Sequence, residues 1–178
     1  MKTEQLLAEA LRKQMAVTPL DQISVKYLSE VCSINRQTFY YHFRDIYDLL
    51  TWVFLNEQIK GLNEATNWND ALEAIFSYLF NQRQFVMSTM ASAGRDLVTE
   101  FLHSGIYRFH LSQITSLESA HPITSTERRH LATFFTAGIV NILTDWIIAD
   151  MKEPPADIIN RIEKFHGEYL LIAMSRKN

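Results

Sequence analysis

The sequence predicts an all-α chain built as an N-terminal three-helix unit of the helix-turn-helix type followed by a C-terminal helical bundle, about nine helices in all. Three observations carry this. The 178 residues include only five glycines and four prolines, so chain breakers are scarce. Apolar residues recur at spacings of three and four along most of the length. No stretch alternates apolar and polar residues with period two, so no sheet is expected.

The elements follow in order. Leu6, Leu7, Ala10, Leu11 and Met15 form one stripe of a first helix, which Pro19 ends. Ser24 is placed to cap a second helix, with Tyr27, Leu28 and Val31 as its inward face. That helix stops near Cys32 and Ser33. Asn35 caps a third helix, Arg36 to Phe43, and Asp45 a fourth carrying Ile46, Leu49, Leu50, Val53 and Phe54. Two short helices braced by a longer one on each side make a helix-turn-helix. The polar segment "GLNEATNWND" marks a boundary, giving an N-terminal domain at 1–55 and a C-terminal domain at 56–178. Helical patterns then run over 70–82, 84–92, 95–119, 125–152 and 155–175. Gly94, "SAHPITS" and Pro154-Pro155 separate them.

A composition of 47% hydrophobic and 21% charged residues is that of a soluble globular protein. Cys32 is the single cysteine, which excludes an internal disulfide and fits a reducing cytoplasm. The opening "MKTEQLLAEALRKQM" carries both charge signs and is not a signal peptide. The most apolar run, "AGIVNILTDWIIADM", is interrupted by Asp145 and reads as too short to span a bilayer, so no membrane partner is expected. Through residue 50, Lys2, Arg12, Lys13, Lys26, Arg36 and Arg44 balance Glu4, Glu9, Asp21, Glu30, Asp45 and Asp48. The net charge of -3 therefore resides in the remainder, which permits an N-terminal nucleic-acid surface without requiring one.

The segment "INRQTFYYHF" concentrates the chemistry. At about 100° per residue, Phe39 and Phe43 share a face with Ile34 just before them, and these are the core anchors. Arg36, Gln37, Tyr40 and Tyr41 fall on the other side, flanked by Thr38 and His42. This set suits a DNA groove. Arginine bonds guanine edges, glutamine bonds adenine, and a threonine methyl meets a thymine methyl. Tyrosine, histidine and the amides at a helix start bond phosphates, which brings in the helix-opening residues Ser24 and Asn35. Lys26 and Arg44 add positive charge beside them. By chemistry alone, an ordinary solvated helix surface fits these residues equally well.

The helix over 125–152 is apolar on two stripes: Leu131, Phe134, Gly138, Ile142 and Trp146, then Phe135, Ile139, Leu143 and Ile147. A helix apolar on two faces is covered on two sides. One stripe serves the domain's own core, and a partner subunit is the simplest cover for the other. The expected homodimer interface is Phe135, Gly138, Ile139, Ile142 and Trp146 with Ile158, Ile162, Phe165 and Tyr169. A helix central to a single domain is the alternative. Enzymatic signatures are missing: the sequence has no nucleophile elbow, no phosphate-binding glycine loop and no histidine or cysteine cluster at ligand spacing. It points to no catalytic residues, no metal and no cofactor.

The stretch "ISVKYLSEVCSINRQTFYYHFRDIYDLL" resembles the DNA-binding region of the tetracycline-repressor (TetR) family of bacterial regulators. The family pattern runs I-A-x-x-A-G-V-S-x-G-T-[LF]-Y-x-H-F-x-x-K-x-x-L after a Thr or Ser that opens the second helix. Ser24, Val31, Ile34, Thr38, Phe39, Tyr40, His42, Phe43 and Leu49 match it. Three positions depart. The usual turn glycine is Ser33, the small residue early in the third helix is Gln37, and the basic residue at the start of the fourth is Ile46. Arg44 stands where it can replace the missing phosphate contact. With a neutral N-terminal domain, this implies modest non-specific affinity and singles out Gln37 as a specificity residue.

The resemblance implies a cytoplasmic homodimer that binds double-stranded DNA at a near-palindromic operator through its third helices. It also implies an effector pocket between the C-terminal helices, with Phe80, Met87, Met90, Phe101, Tyr107 and His110 as candidate linings beside Phe76 and Trp146. "INRQTFYYHFRDIYDLL", with "NW" near 67 and "GRDL" at 94, is similar to a narrower group that includes activators of dihydroxyacetone-kinase operons. That group responds through a kinase-subunit-like partner protein instead of a small-molecule effector. The competing reading is a helix-turn-helix-like module that contacts proteins and never binds DNA.

Overall fold

The structure, a computed structural model, describes residues 2–117 and 121–175, with the backbone alone at 165–169 and 171. Among the described residues there are nine α-helices, one 3₁₀ turn and no strand, so the chain is all-α as expected. The helices are α1 Thr3–Met15, α2 Val25–Val31, α3 Arg36–His42, α4 Ile46–Leu55, α5 Trp68–Asn81, α6 Arg83–Met90, α7 Arg95–Leu117, α8 Ser125–Ile148 and α9 Pro155–Ser175. The 3₁₀ turn, Leu20–Gln22, follows Pro19.

The caps form where the sequence places them. The side chains of Ser24, Asn35 and Asp45 accept from the amides of Tyr27, Thr38 and Asp48 at 3.1, 2.7 and 2.8 Å. Each satisfies an amide that has no partner inside its helix. Most expected ends shift by no more than two residues and the end expected at 119 lies outside the described residues, but α8 stops at Ile148, four short of residue 152. Asp150 and Met151 are left-handed, with φ of 65° and 50°. Their amides return to the carbonyls of Ile147 and Trp146 at 3.0 and 2.9 Å, a closure that ends a helix.

The chain divides into two compact units, Met1–Gln58 with Gln82–Phe101 and Ile59–Asn81 with Leu102–Asn178. A single cut at 55/56 separates 82–101 from the N-terminal helices, whereas here they fall together. The reason is packing. Phe85 of α6 stacks on Phe54 of α4 with ring centres 5.4 Å apart, and Phe101 lies 5.6 Å from the same ring. A Cβ on Gly94 would come within 2.8 Å of a Leu50 methyl, so any larger residue would make that buried side chain of α4 shift.

The core of the first unit is formed by Leu7, Leu11, Leu20, Leu28, Phe39, Leu49 and Leu50, all fully buried. Each such side chain contributes roughly 1.5–3 kcal/mol on burial. The expected inward face of α2 is corrected. Leu28 is buried, but Tyr27 and Val31 are exposed. Ser29 and Cys32 turn inward instead. The stripe from Leu28 to Cys32 faces α1, where the Cys32 sulfur lies 3.8 Å from the Leu6 carbonyl, and exposed Tyr27 reaches α1 through its hydroxyl, which donates to Gln14. Burial pushes the Cys32 thiol pKa up.

In the second unit Leu72, Ile75, Phe76 and Leu79 of α5 are buried, as are Leu143, Trp146 and Ile147 of α8. Ile158, Ile159 and Ile162 of α9 are buried with them. The α8 helix is long and apolar enough, by length and composition, to cross a membrane, which the sequence reading did not expect. Its apolarity is accounted for by two stripes, one against its own core and one on an open groove.

Candidate functional site

The α3 helix divides as its spacing predicts. Phe39 and Phe43 are buried, their rings 5.9 Å apart, and Ile34 is half-buried before them. Arg36, Gln37, Tyr40 and Tyr41 are exposed, Tyr40 at 57% and Tyr41 at 85%. Thr38 is half-buried and its hydroxyl donates to the Asn35 side chain at 3.0 Å. The Asn35 carbonyl oxygen therefore serves two donors of its own chain, and the Ser24 hydroxyl serves Tyr27.

The turn before α3 is made by Ser33 with φ of 54°, the left-handed conformation that glycine adopts at little cost. Ile46, where the resemblance expects a base, is buried at the start of α4. Lys26 and Arg44 are exposed, and each lies near an acid one turn away, Glu30 at 3.9 Å and Asp48 at 3.6 Å. The Arg44 amide also donates to Asp48 at 2.9 Å. Tyr47 donates to Asp21 at 2.5 Å, and that bond holds the phenol pKa above its usual value. His42 sits at the edge of this face, its Nδ1 3.1 Å from Glu4 of α1.

In the second unit an open groove of about 1160 Å³ runs between α8 and α9. Leu131, Phe134, Phe135, Gly138, Ile139, Ile142, Ile158, Ile162 and Ile172 line it. Phe134 is 73% exposed, and nothing lies within 4 Å of a Cβ built on Gly138. The expected interface residues Phe135, Gly138, Ile139, Ile142, Ile158 and Ile162 thus meet on one surface. Trp146 does not join them. It is buried against Phe76 at 4.9 Å and donates to the Glu153 carbonyl at 2.9 Å. The side chains of Phe165 and Tyr169 lie outside the described residues. Phe134 and Ile172 are additions; both carried a signal, since they continue the apolar spacing of their helices.

The candidate effector linings have separate surroundings. Phe80 is 58% exposed on α5. Met87, Met90 and Phe101 belong to the first unit, where Met90 is buried and Phe101 packs on Phe54. In the second unit Tyr107 stacks on His103 at 5.9 Å, and fully buried His110 pairs with the Thr136 hydroxyl at 2.9 Å. His110 thus has an internal partner, and Trp68 covers its ring at 4.3 Å.

Comparisons with known proteins agree with this architecture. Residues 66–166 match the TetR-type family described as "Transcriptional regulator C-terminal region". The chain is similar to the HTH-type dhaKLM operon transcriptional activator DhaS of Lactococcus lactis subsp. lactis (strain IL1403), at 31% identity over 93 residues. That match covers 48% of this chain, and the chain spans about half the length (50%) of that relative. Two solved structures share the fold. One, the dihydroxyacetone kinase operon activator DhaS, has a TM-score of 0.71 at 21% identity, covering 97% of this chain and 96% of that one. The other, the fatty acid degradation regulator FadR from Bacillus halodurans, has a TM-score of 0.65 at 15% identity, covering 93% and 95%. With a family match spanning more than half of its length, the chain belongs to the TetR family of transcriptional regulators.

Proposed function

We propose that the first unit binds double-stranded DNA through α3 and that the protein acts as a homodimer on a near-palindromic operator. The reading rests on one surface: Arg36, Gln37, Tyr40 and Tyr41 stand outward together while Phe39 and Phe43 fix the helix from behind. Arg36 and Gln37 read base edges, and Tyr40 and Tyr41 hold phosphates. Ser24 and Asn35 act through the helix starts they cap, with Thr38 offering its methyl. Lys26 and Arg44 share their charge with Glu30 and Asp48, so the phosphate contribution is small.

The groove between α8 and α9 supports dimerisation, because its lining is largely apolar and includes a glycine with open space above it. Two copies then place their α3 helices in successive major grooves. A small molecule or a kinase-subunit-like partner protein acts at the second unit and alters operator affinity. The likeness to regulators of dihydroxyacetone kinase operons supports a metabolic operon as the target.

Footprinting on the DNA that flanks the protein's own gene, repeated across salt concentrations, tests this. A protected palindrome whose affinity falls with salt at a slope of about -0.9 per neutralised phosphate supports DNA binding. No protection at low salt favours the protein-interaction module.

A further inference from the structure

His42 carries the family position expected on the DNA side, yet its Nδ1 lies 3.1 Å from a carboxylate oxygen of Glu4. Glu4 stands in the first turn of α1, and His42 is the last residue of α3. A carboxylate only accepts, so this approach is favourable in the form of the ring that places a proton on Nδ1. The imidazole also meets Tyr41, whose ring packs edge-on at 5.1 Å and 89°. A chain of contacts thus runs from the start of α1 through His42 to the most exposed ring of α3.

A helix of seven residues does not hold itself. Asn35 fixes the first turn of α3 and Phe39 its middle. The last turn relies on Phe43 below and His42 to the side. Glu4 also carries the wrong charge for a surface that meets a polyanion, and electrostatics alone gives it no place there.

We infer that Glu4 and His42 are positioning residues for DNA binding: the Glu4 carboxylate holds the His42 ring, and the ring sets the last turn of α3 and the stance of Tyr41. This rests on α3 being the DNA-reading helix. The two effects of Glu4, reach and charge, predict opposite orders of affinity. Glu4→Asp keeps the charge but shortens the arm; Glu4→Gln removes the charge but keeps the length of the arm and an accepting oxygen at its end. Positioning predicts that Glu4→Asp and Glu4→Ala weaken operator binding about tenfold, while Glu4→Gln stays within about threefold of the parent.

The test is a titration of the full-length protein and these variants on the footprinted operator, with thermal melts to verify that each is folded. His42→Ala and the double variant with Glu4→Ala are measured alongside. Equal affinity of the double variant and His42→Ala supports action through one another. Tighter binding by Glu4→Ala or Glu4→Asp, or additive losses in the double variant, overturns the inference. A parent protein that binds no DNA overturns the reading of α3 itself, so the two failures are distinct.

Discussion

The guanidinium carbon of Arg12 lies 4.4 Å from the centre of the Phe85 ring. The same group donates to Glu57, just beyond α4, and to Gln82, just before α6, at 3.3 Å. One side chain of α1 therefore ties α4 and α6 into the first unit. Arg12→Ala strips the packing of the stem and leaves Glu57 half-buried without its cation, a loss of about 2 kcal/mol. Arg12→Met keeps a stem over Phe85 and recovers part of it. Urea midpoints for the three proteins check this, and a midpoint unchanged in Arg12→Ala would refute it.

Ser33 pays for a conformation that glycine takes freely. At φ of 54° its Cβ crowds the backbone, a cost of about 1 kcal/mol. Ser33 is exposed, so its side chain has little to lose. Ser33→Gly stabilises the protein by up to about 1 kcal/mol, reduced by the added freedom of the unfolded chain. Ser33→Ala gains nothing. Melting temperatures measured side by side distinguish the two.

Local signals were legible in the sequence. Caps at Ser24, Asn35 and Asp45 and the division of α3 into Phe39/Phe43 and Arg36/Gln37/Tyr40/Tyr41 depend on residues within one turn of each other. What escaped depends on contacts between distant segments. Periodicity puts Tyr27 and Val31 on the apolar side of α2, but Leu28 and Cys32 are the buried pair, while Tyr27 stays exposed and reaches Gln14 of α1 through its hydroxyl. Trp146 lies on the outer stripe by spacing, yet the early stop of α8 lets the Glu153 carbonyl return to its indole and draws it inward. Glu4 carries no signal at all, because nothing in α1 announces that His42 will lie beside it.

Ile142 is 39% exposed and lines the groove between α8 and α9. If a second copy covers that groove, a carboxylate there loses its water in a largely apolar lining whose one cation among the lining residues, Arg161, is already held by Glu153, and the subunits separate. Ile142→Glu is expected to sediment as a folded monomer. Its operator affinity falls on the order of a hundredfold, because each half-site is then bound alone. Phe134→Glu behaves the same way. A folded, intact dimer in both variants places the interface elsewhere.

Thr124 and Glu127 close the start of α8 on each other. The Glu127 carboxylate accepts from the Thr124 hydroxyl and amide at 2.6 and 2.7 Å, which lowers its pKa from 4.5. A carboxyl depressed in the folded state stabilises above its unfolded value, and that contribution disappears as pH falls through the folded value. Glu127→Gln is therefore less stable than the parent near neutrality, and the gap closes as pH falls below 4.5 and through the lowered folded value. Melting curves across that range check the convergence; a gap that stays constant points to a charge-independent cause.

Gln37 replaces the small residue usual at its position in the family and stands exposed beside Arg36. Both reach base edges in the proposed complex, whereas Tyr40 reaches the backbone. Removing a base contact changes which base is preferred; removing a phosphate contact weakens every sequence alike. Arg36→Ala and Gln37→Ala are expected to lose about 1–3 kcal/mol of discrimination at one or two positions of each half-site. Tyr40→Phe lowers affinity severalfold for all operator variants and leaves their ranking intact. Titrations against a panel of single-base operator variants decide the matter. Unchanged ranking in both alanine variants would mean that this helix contacts the groove without reading it.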